Sequence, residues 1–188
     1  MTENLAEVVD AGRSILVFVD VQARLAPHIA DHERVEQRCL ALVQGAGAVG
    51  VPVLLTEHCP EAIGPTLASL RELVPPSQIL GKRHFSAMDE AALPEALGQA
   101  GRTQVLVGGM EAHVCVLQTV LGIVAAGYDC WVIRDACGSR SGEDRLAAFE
   151  RARAGGARLV TAEMVLFEWL RGADHPAFKR VHGLIKGF

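Results

Sequence analysis

The chain has no excess of basic charge. Lys and Arg number 18 against 22 Asp and Glu, for a formal net charge of −4 at pH 7. With no basic stripe to offset that balance, general nucleic-acid binding is not expected. No apolar stretch is long enough to span a bilayer; the longest, Val114 to Ala126, is broken by Gln118 and Thr119. The start, Met1-Thr2-Glu3-Asn4-Leu5-Ala6-Glu7, is acidic and lacks the charged-then-apolar layout of a signal peptide. The five cysteines include no CxxC pair, so reduced thiols in a cytoplasmic protein are expected rather than a disulfide framework. No internal repeat, low-complexity tract or linker interrupts the chain, and residues 1–188 read as one domain. At 50% hydrophobic and 21% charged residues, that domain should be globular with a sizeable core.

Short β-branched apolar runs alternate with longer segments of helical period. Strands are expected at Ile15–Val19, Val51–Leu55, Ser77–Leu80, Val105–Val107, Trp131–Ile133 and Arg158–Val160. Helices are expected near Asp31–Ala48, Asp89–Ala100, Ala112–Ala126, Gly142–Ala154 and Ala162–Arg171. Apolar strands joined by helices imply an α/β fold with a parallel sheet covered on both faces, a three-layer α/β/α sandwich.

In such sheets, ligands bind beyond the carboxyl ends of the strands. That rule selects Asp20 after the first strand, Lys82 after the weak third strand, Cys115 in the turn after the fourth, and Asp135 at the end of the fifth. Cys115 is the best candidate for a reactive atom. It follows Gly108-Gly109 at a strand-to-helix turn, where backbone N–H groups favour a thiolate. Lys82 would favour it too, Asp20 would take and return the thiol proton, and the turn would offer N–H donors to a developing oxyanion. That set suits attack on a carbonyl, formation of an acyl thioester and its hydrolysis.

Gly45-Ala46-Gly47-Ala48-Val49-Gly50 matches the GxGxxG dinucleotide fingerprint, but it follows a helix and precedes a strand, the wrong order for holding a pyrophosphate. No nicotinamide or flavin cofactor is expected. His58, Cys59, His84 and His113 offer no ligand pair with structural zinc spacing, so no metal is expected either. Asp135 and Arg140 flank one loop and are candidates for an ion pair. Cys39 and Cys130 look structural, whereas Cys59 and Cys137 fall in expected loops. Phe167, Trp169 and Leu170 form an apolar cluster that suits either a core satellite or a subunit interface.

Asp20, Lys82 and Cys115, in this order and on these strands, resemble the isochorismatase-like cysteine hydrolases. Val19-Asp20-Val21-Gln22, Leu55-Thr56-Glu57-His58, Lys82-Arg83-His84-Phe85-Ser86 and the run Gly109–Thr119 follow the isochorismatase domain-containing protein 2 type. The late segments Asp135–Ser141 and Thr161–Met164 fit as well. The resemblance covers nearly the whole chain. It implies a six-stranded parallel, Rossmann-like sheet, an Asp20–Lys82–Cys115 triad, and a non-proline cis peptide at Met110–Glu111 that aims the N–H groups of Glu111 and Cys115 at the oxyanion. It also implies Gln22 and Phe85 as polar anchor and apolar wall of the pocket, a small amide or similar acyl C–N substrate, no cofactor, and a homo-oligomer. The sequence departs from the nicotinamidases, whose Asp-x-His metal motif is replaced here by adjacent Glu57 and His58. Three alternatives stay open: a binding or scaffold protein on the same fold, a vinyl-ether hydrolase, and a thiol redox sensor with Cys59 or Cys137 as the resolving thiol.

Overall fold

The computed structural model describes residues 8–188, so the acidic start at Met1–Glu7 lies outside the described residues. Six strands, β1 (Ser14–Val19), β2 (Val53–His58), β3 (Ile79–Lys82), β4 (Gln104–Met110), β5 (Asp129–Gly138) and β6 (Arg158–Val160), form one sheet in the order β3-β2-β1-β4-β5-β6. Every neighbouring pair is parallel. The helices are α1 (His32–Val49), the one-turn α2 (Pro60–Ile63) and α3 (Ala68–Arg71), then α4 (Ala92–Ala100), α5 (Leu117–Ala125), α6 (Gly142–Ala154), α7 (Ala162–Leu170) and α8 (Phe178–Leu184). The chain winds outward in both directions from the β1–β4 pair, and such a reversal opens a crevice at the carboxyl ends of those two strands.

The two covered faces are visible in β1, whose residues are all buried. Leu16 and Phe18 pack with Leu42 of α1, Leu166 of α7 and Val181 of α8, whereas Ile15, Val17 and Val19 pack with Leu97 of α4, Val120 of α5 and Phe149 of α6. Successive side chains on a strand point to opposite faces, so one apolar run supplies two cores. The helices start where the sequence provides caps. Ser141 accepts from the Asp144 N–H at the start of α6, and Thr161 accepts from the Met164 N–H at the start of α7. The expected apolar cluster near the end of the chain is core: Trp169 and Leu170 are buried, and Trp169 Nε1 donates to Ser14 Oγ at 3.0 Å. Phe167 remains exposed.

Three expectations are corrected. β5 does not stop at Ile133 but continues through Arg134-Asp135 to Gly138, pairing Gly109 with Cys137 after a register shift. Two charges in a row read as a strand end, yet tertiary contacts satisfy the carboxylate. Asp135 Oδ2 lies 3.2 Å from Arg38 Nε, and its Oδ1 accepts from the Ala162 N–H at 2.8 Å, capping α7. The partner of Asp135 is therefore Arg38 rather than Arg140, and Cys137 sits buried in a strand rather than in a loop.

Of the glycines in the false fingerprint, Gly50 ends α1 in the left-handed region and Gly45 serves packing. Gly45 lies inside α1, where an added Cβ would stand 2.3 Å from Leu166 Cδ2 of α7. It permits two helices to approach closely, far from any strand-to-helix turn.

Candidate active site

The site grows from the carboxyl ends of β1, β2, β3 and β4. After Val19 the backbone of Asp20 turns into the left-handed region, with φ 54. It stays tied to the sheet through its N–H, which donates to Thr56 O at 3.1 Å, and its carbonyl, which accepts from the Gln22 N–H at 2.8 Å. The carboxylate is buried. Thr56 Oγ1 donates to Asp20 Oδ1 at 2.6 Å, and Lys82 Nζ, from the last residue of β3, lies 2.7 Å from Asp20 Oδ2. That second contact is ionic without hydrogen-bond geometry. Lys82 Nζ spends donors on the carbonyls of His84 and Phe85, at 3.1 and 3.0 Å. Further hydrogen bonds support the buried pair: Thr56 donates to one carboxylate oxygen and the ammonium donates to two carbonyls, while Asp20 Oδ2 has the ionic contact alone.

Thr56 was not singled out from the sequence; its only signal is one hydroxyl in a buried apolar strand. Thr56→Val should cost roughly 1.5–3 kcal/mol of stability, the worth of a hydrogen bond to a charged group. Chemical denaturation would measure it, and an unchanged midpoint would show that the hydroxyl carries no such load.

Cys115 arrives from the other side. β4 ends in Gly108-Gly109-Met110, the Met110–Glu111 peptide is cis, and residues Ala112–Val116 form a single π-type turn before α5. The expected helix over Ala112–Ala126 is thus wider at its start, a feature often found at functional sites. Gly109 adopts φ 133, and an added Cβ would stand 2.0 Å from Val19 O. Only glycine lets β4 pass this close to β1 just before the turn. Gly109→Ala should cost more than about 3 kcal/mol, combining strained backbone with a backbone clash; normal yield and melting temperature would contradict this.

The turn places the Cys115 thiol, 7% exposed, beside Asp20 and Lys82, close enough to feel both charges. Its pKa is pushed up from 9.0 to about 12, first by burial and then by the Asp20 charge, with Lys82 pulling the other way. Lys82 favours the thiolate, as expected from the sequence, but it is not the largest influence on the thiol. Loss of solvent outweighs the neighbouring ammonium, and the resting group is the neutral thiol.

Gln22 is fully buried. Its Nε2 donates to the carbonyls of His58 and Gly64, at 3.0 and 2.6 Å, and its Oε1 accepts from the His58 N–H at 2.8 Å. The side chain clamps the loop after β2. Phe85 is half exposed, with its ring tilted against His58 at 5.4 Å between centroids. Glu111 pairs with Arg140, whose Nε lies 2.7 Å from Glu111 Oε1, while His113 Nδ1 lies 3.0 Å from Ser139 Oγ. Glu57 accepts from the Thr66 N–H at 2.7 Å and faces Arg71 at 3.1 Å, so it is committed to its own loop. Among the described residues, no group of three or more His, Cys, Asp or Glu side chains is placed to hold a metal ion. No helix among them is long and apolar enough to cross a membrane.

The isochorismatase domain model matches residues 14–164, the span from β1 through the first turn of α7. The chain belongs to the isochorismatase family. Isochorismatase domain-containing protein 2A of Mus musculus is 37% identical over 174 residues, covering 92% of this chain and 82% of its own length. Among solved structures, the MAR1 ribonuclease from Caenorhabditis elegans superposes with a TM-score of 0.89 at 32% identity, covering 95% of this chain and 92% of that one. YcaC from Pseudomonas aeruginosa, solved with hexane-2,5-diol and covalent acrylamide, superposes with a TM-score of 0.91 at 26% identity, covering 100% of this chain and 94% of that one. Both solved structures share the overall α/β fold described above.

Proposed function

We propose that this isochorismatase-family hydrolase is a cofactor-free cysteine hydrolase of small amides or similar acyl C–N substrates, with the whole chain, residues 1–188, acting as one domain. The observation that carries this reading is the placement of one buried thiol, Cys115, beside the buried Asp20–Lys82 ion pair. A neutral thiol beside a carboxylate calls for attack coupled to proton transfer. As Sγ bonds to the substrate carbonyl carbon, the thiol proton moves to Asp20. The carbonyl oxygen takes the electron pair and is held by the N–H groups of Glu111 and Cys115. Collapse breaks the C–N bond, and Asp20 returns the proton to the departing amine. Water then attacks the acyl thioester, giving one proton to Asp20; the acid departs, and the thiol recovers the proton from Asp20. Lys82, donating to two backbone carbonyls, keeps the carboxylate oriented and limits the cost of its burial. Phe85 is the apolar wall of the pocket; Gln22 shapes the pocket through its loop.

The acrylamide bound covalently by the Pseudomonas YcaC, an amide-bearing electrophile, supports a reactive nucleophile on this fold. The name of the Caenorhabditis protein offers RNA cleavage as a second reading. A net charge of −4 and a buried carboxylate in the site disfavour a polyanionic substrate, and we favour acyl transfer. Free cysteines fit a cytoplasmic setting, and exposed Phe85 and Phe167 are apolar surface that a homo-oligomer would cover. The test is an amide panel followed by intact-mass spectrometry. A quenched reaction should carry an acyl adduct that peptide mapping assigns to Cys115; turnover with an adduct elsewhere, or with none on quenching during a kinetic burst, overturns the covalent route.

A further inference from the structure

A separate concavity lies at the β6 side of the sheet, between β5, β6 and α6, and shares no lining residue with the Asp20–Lys82–Cys115 site. It consists of two adjoining cavities, of 420 and 140 Å³, that share Arg134, Leu146 and Phe149. The larger is walled by Leu146, Phe149 and Leu159, with Arg153 at its rim; the smaller adds Arg34 and Arg145. The side chains sort by chemistry, with an apolar wall at one end and guanidinium groups at the other. Arg134 lies over the Phe149 ring at 5.4 Å from its centroid.

The charge there runs against the chain as a whole. Arg34, Arg134, Arg145 and Arg153 have no ion-pair partner among the described residues, and Arg145 Nε is buried without a hydrogen-bond acceptor. Asp31 and Glu150 are the opposing carboxylates that no ion pair engages, since Asp135 is taken by Arg38. Four cations against two free anions make a positive pocket on a chain of net charge −4. A buried guanidinium donor without an acceptor is costly, and a bidentate anion would satisfy it.

We propose that this concavity binds a small organic anion with an apolar body, of the aryl or branched carboxylate class. The carboxylate meets Arg134 and Arg145, and the hydrocarbon lies on Leu146, Phe149 and Leu159. The site is separate from Cys115 and does not depend on the reaction proposed there.

The probe is 2-naphthoate, titrated calorimetrically into the full chain. Saturable one-site binding is expected. It should weaken at least tenfold in Arg145→Met, in Arg134→Ala and in the surface variant Leu146→Asp, each checked for a native melting temperature. Binding should be undiminished in Cys115→Ser, and neutral 2-naphthol should bind at least tenfold more weakly than 2-naphthoate. Equal affinity in wild type and Arg145→Met, loss of binding in Cys115→Ser, or no saturable heat would overturn the proposal. So would sedimentation showing self-association that Leu146→Asp abolishes, which would give the cavity to a second copy. Binding of a short single-stranded RNA that the arginine variants abolish, without naphthoate binding, would overturn it as well.

Discussion

Replacing Cys115 with alanine is expected to lower turnover of any acyl C–N substrate by about 10⁴-fold or more, the scale on which removing a nucleophile acts when the rest of the machinery stays in place. The fold should tolerate the change. Cys115 is a small buried side chain, and alanine removes one sulfur, so the loss in stability is that of a small cavity rather than of an unpaired charge. Binding of substrate should persist, because neither the wall at Phe85 nor the loop held by Gln22 depends on the thiol. The signature is therefore a collapse of kcat at nearly constant KM, together with disappearance of the acyl adduct. Turnover within tenfold of wild type would remove Cys115 from the chemistry and bring forward vinyl-ether hydrolysis, which needs no thiol nucleophile.

Asp20→Asn should produce two effects of opposite sign. Turnover should fall by about 10²–10⁴-fold, the usual contribution of a positioned acid–base group. The thiol, by contrast, should become easier to ionise. Its pKa stands at about 12 partly because the Asp20 charge opposes a thiolate, and Lys82 pulls it down. Removing the carboxylate charge leaves only burial against the ammonium, so the pKa falls. In wild type, alkylation of Cys115 by iodoacetamide should stay slow at neutral pH and rise as pH climbs toward 12; in Asp20→Asn the rise should begin at lower pH. A purely structural role for Asp20 would give lower turnover without that shift. The variant leaves a buried ammonium without its carboxylate, which costs about 3–5 kcal/mol when a buried pair is broken. The carbonyls of His84 and Phe85 still hold Lys82 Nζ, and circular dichroism identifies the folded fraction on which both readouts are made. An unshifted alkylation profile in folded protein would show that Asp20 is not coupled to the thiol.

Much of this was legible in the residues. Continuous apolar runs such as Ile15–Val19 point to the parallel sheet because a strand buried on both faces needs apolar side chains in both directions. Strand ends then selected Asp20, Lys82 and Cys115, and the structure brings all three together. The role of Thr56 is not legible in the sequence, because a hydroxyl in an apolar run carries no period; only the parallel alignment of β1 with β2 sets it against Asp20. The end of β5 was misplaced because local polarity at Arg134-Asp135 outweighed apolar pattern, whereas Arg38 and the first turn of α7, far away in sequence, satisfy the carboxylate.

The sequence by itself determined the α/β class, the alternation of strands and helices, and the identity of the three groups at the carboxyl edge. Those properties follow from side-chain hydrophobicity and period, which are local. Only the tertiary structure decided the protonation state of Cys115. Its turn and the nearby lysine argue for a thiolate, but desolvation and the charge of Asp20 depend on what packs around the sulfur, and together they keep the proton on. The same holds for the arginine pocket, whose members come from α1, β5 and α6 and whose unbalanced charge exists only once those elements meet.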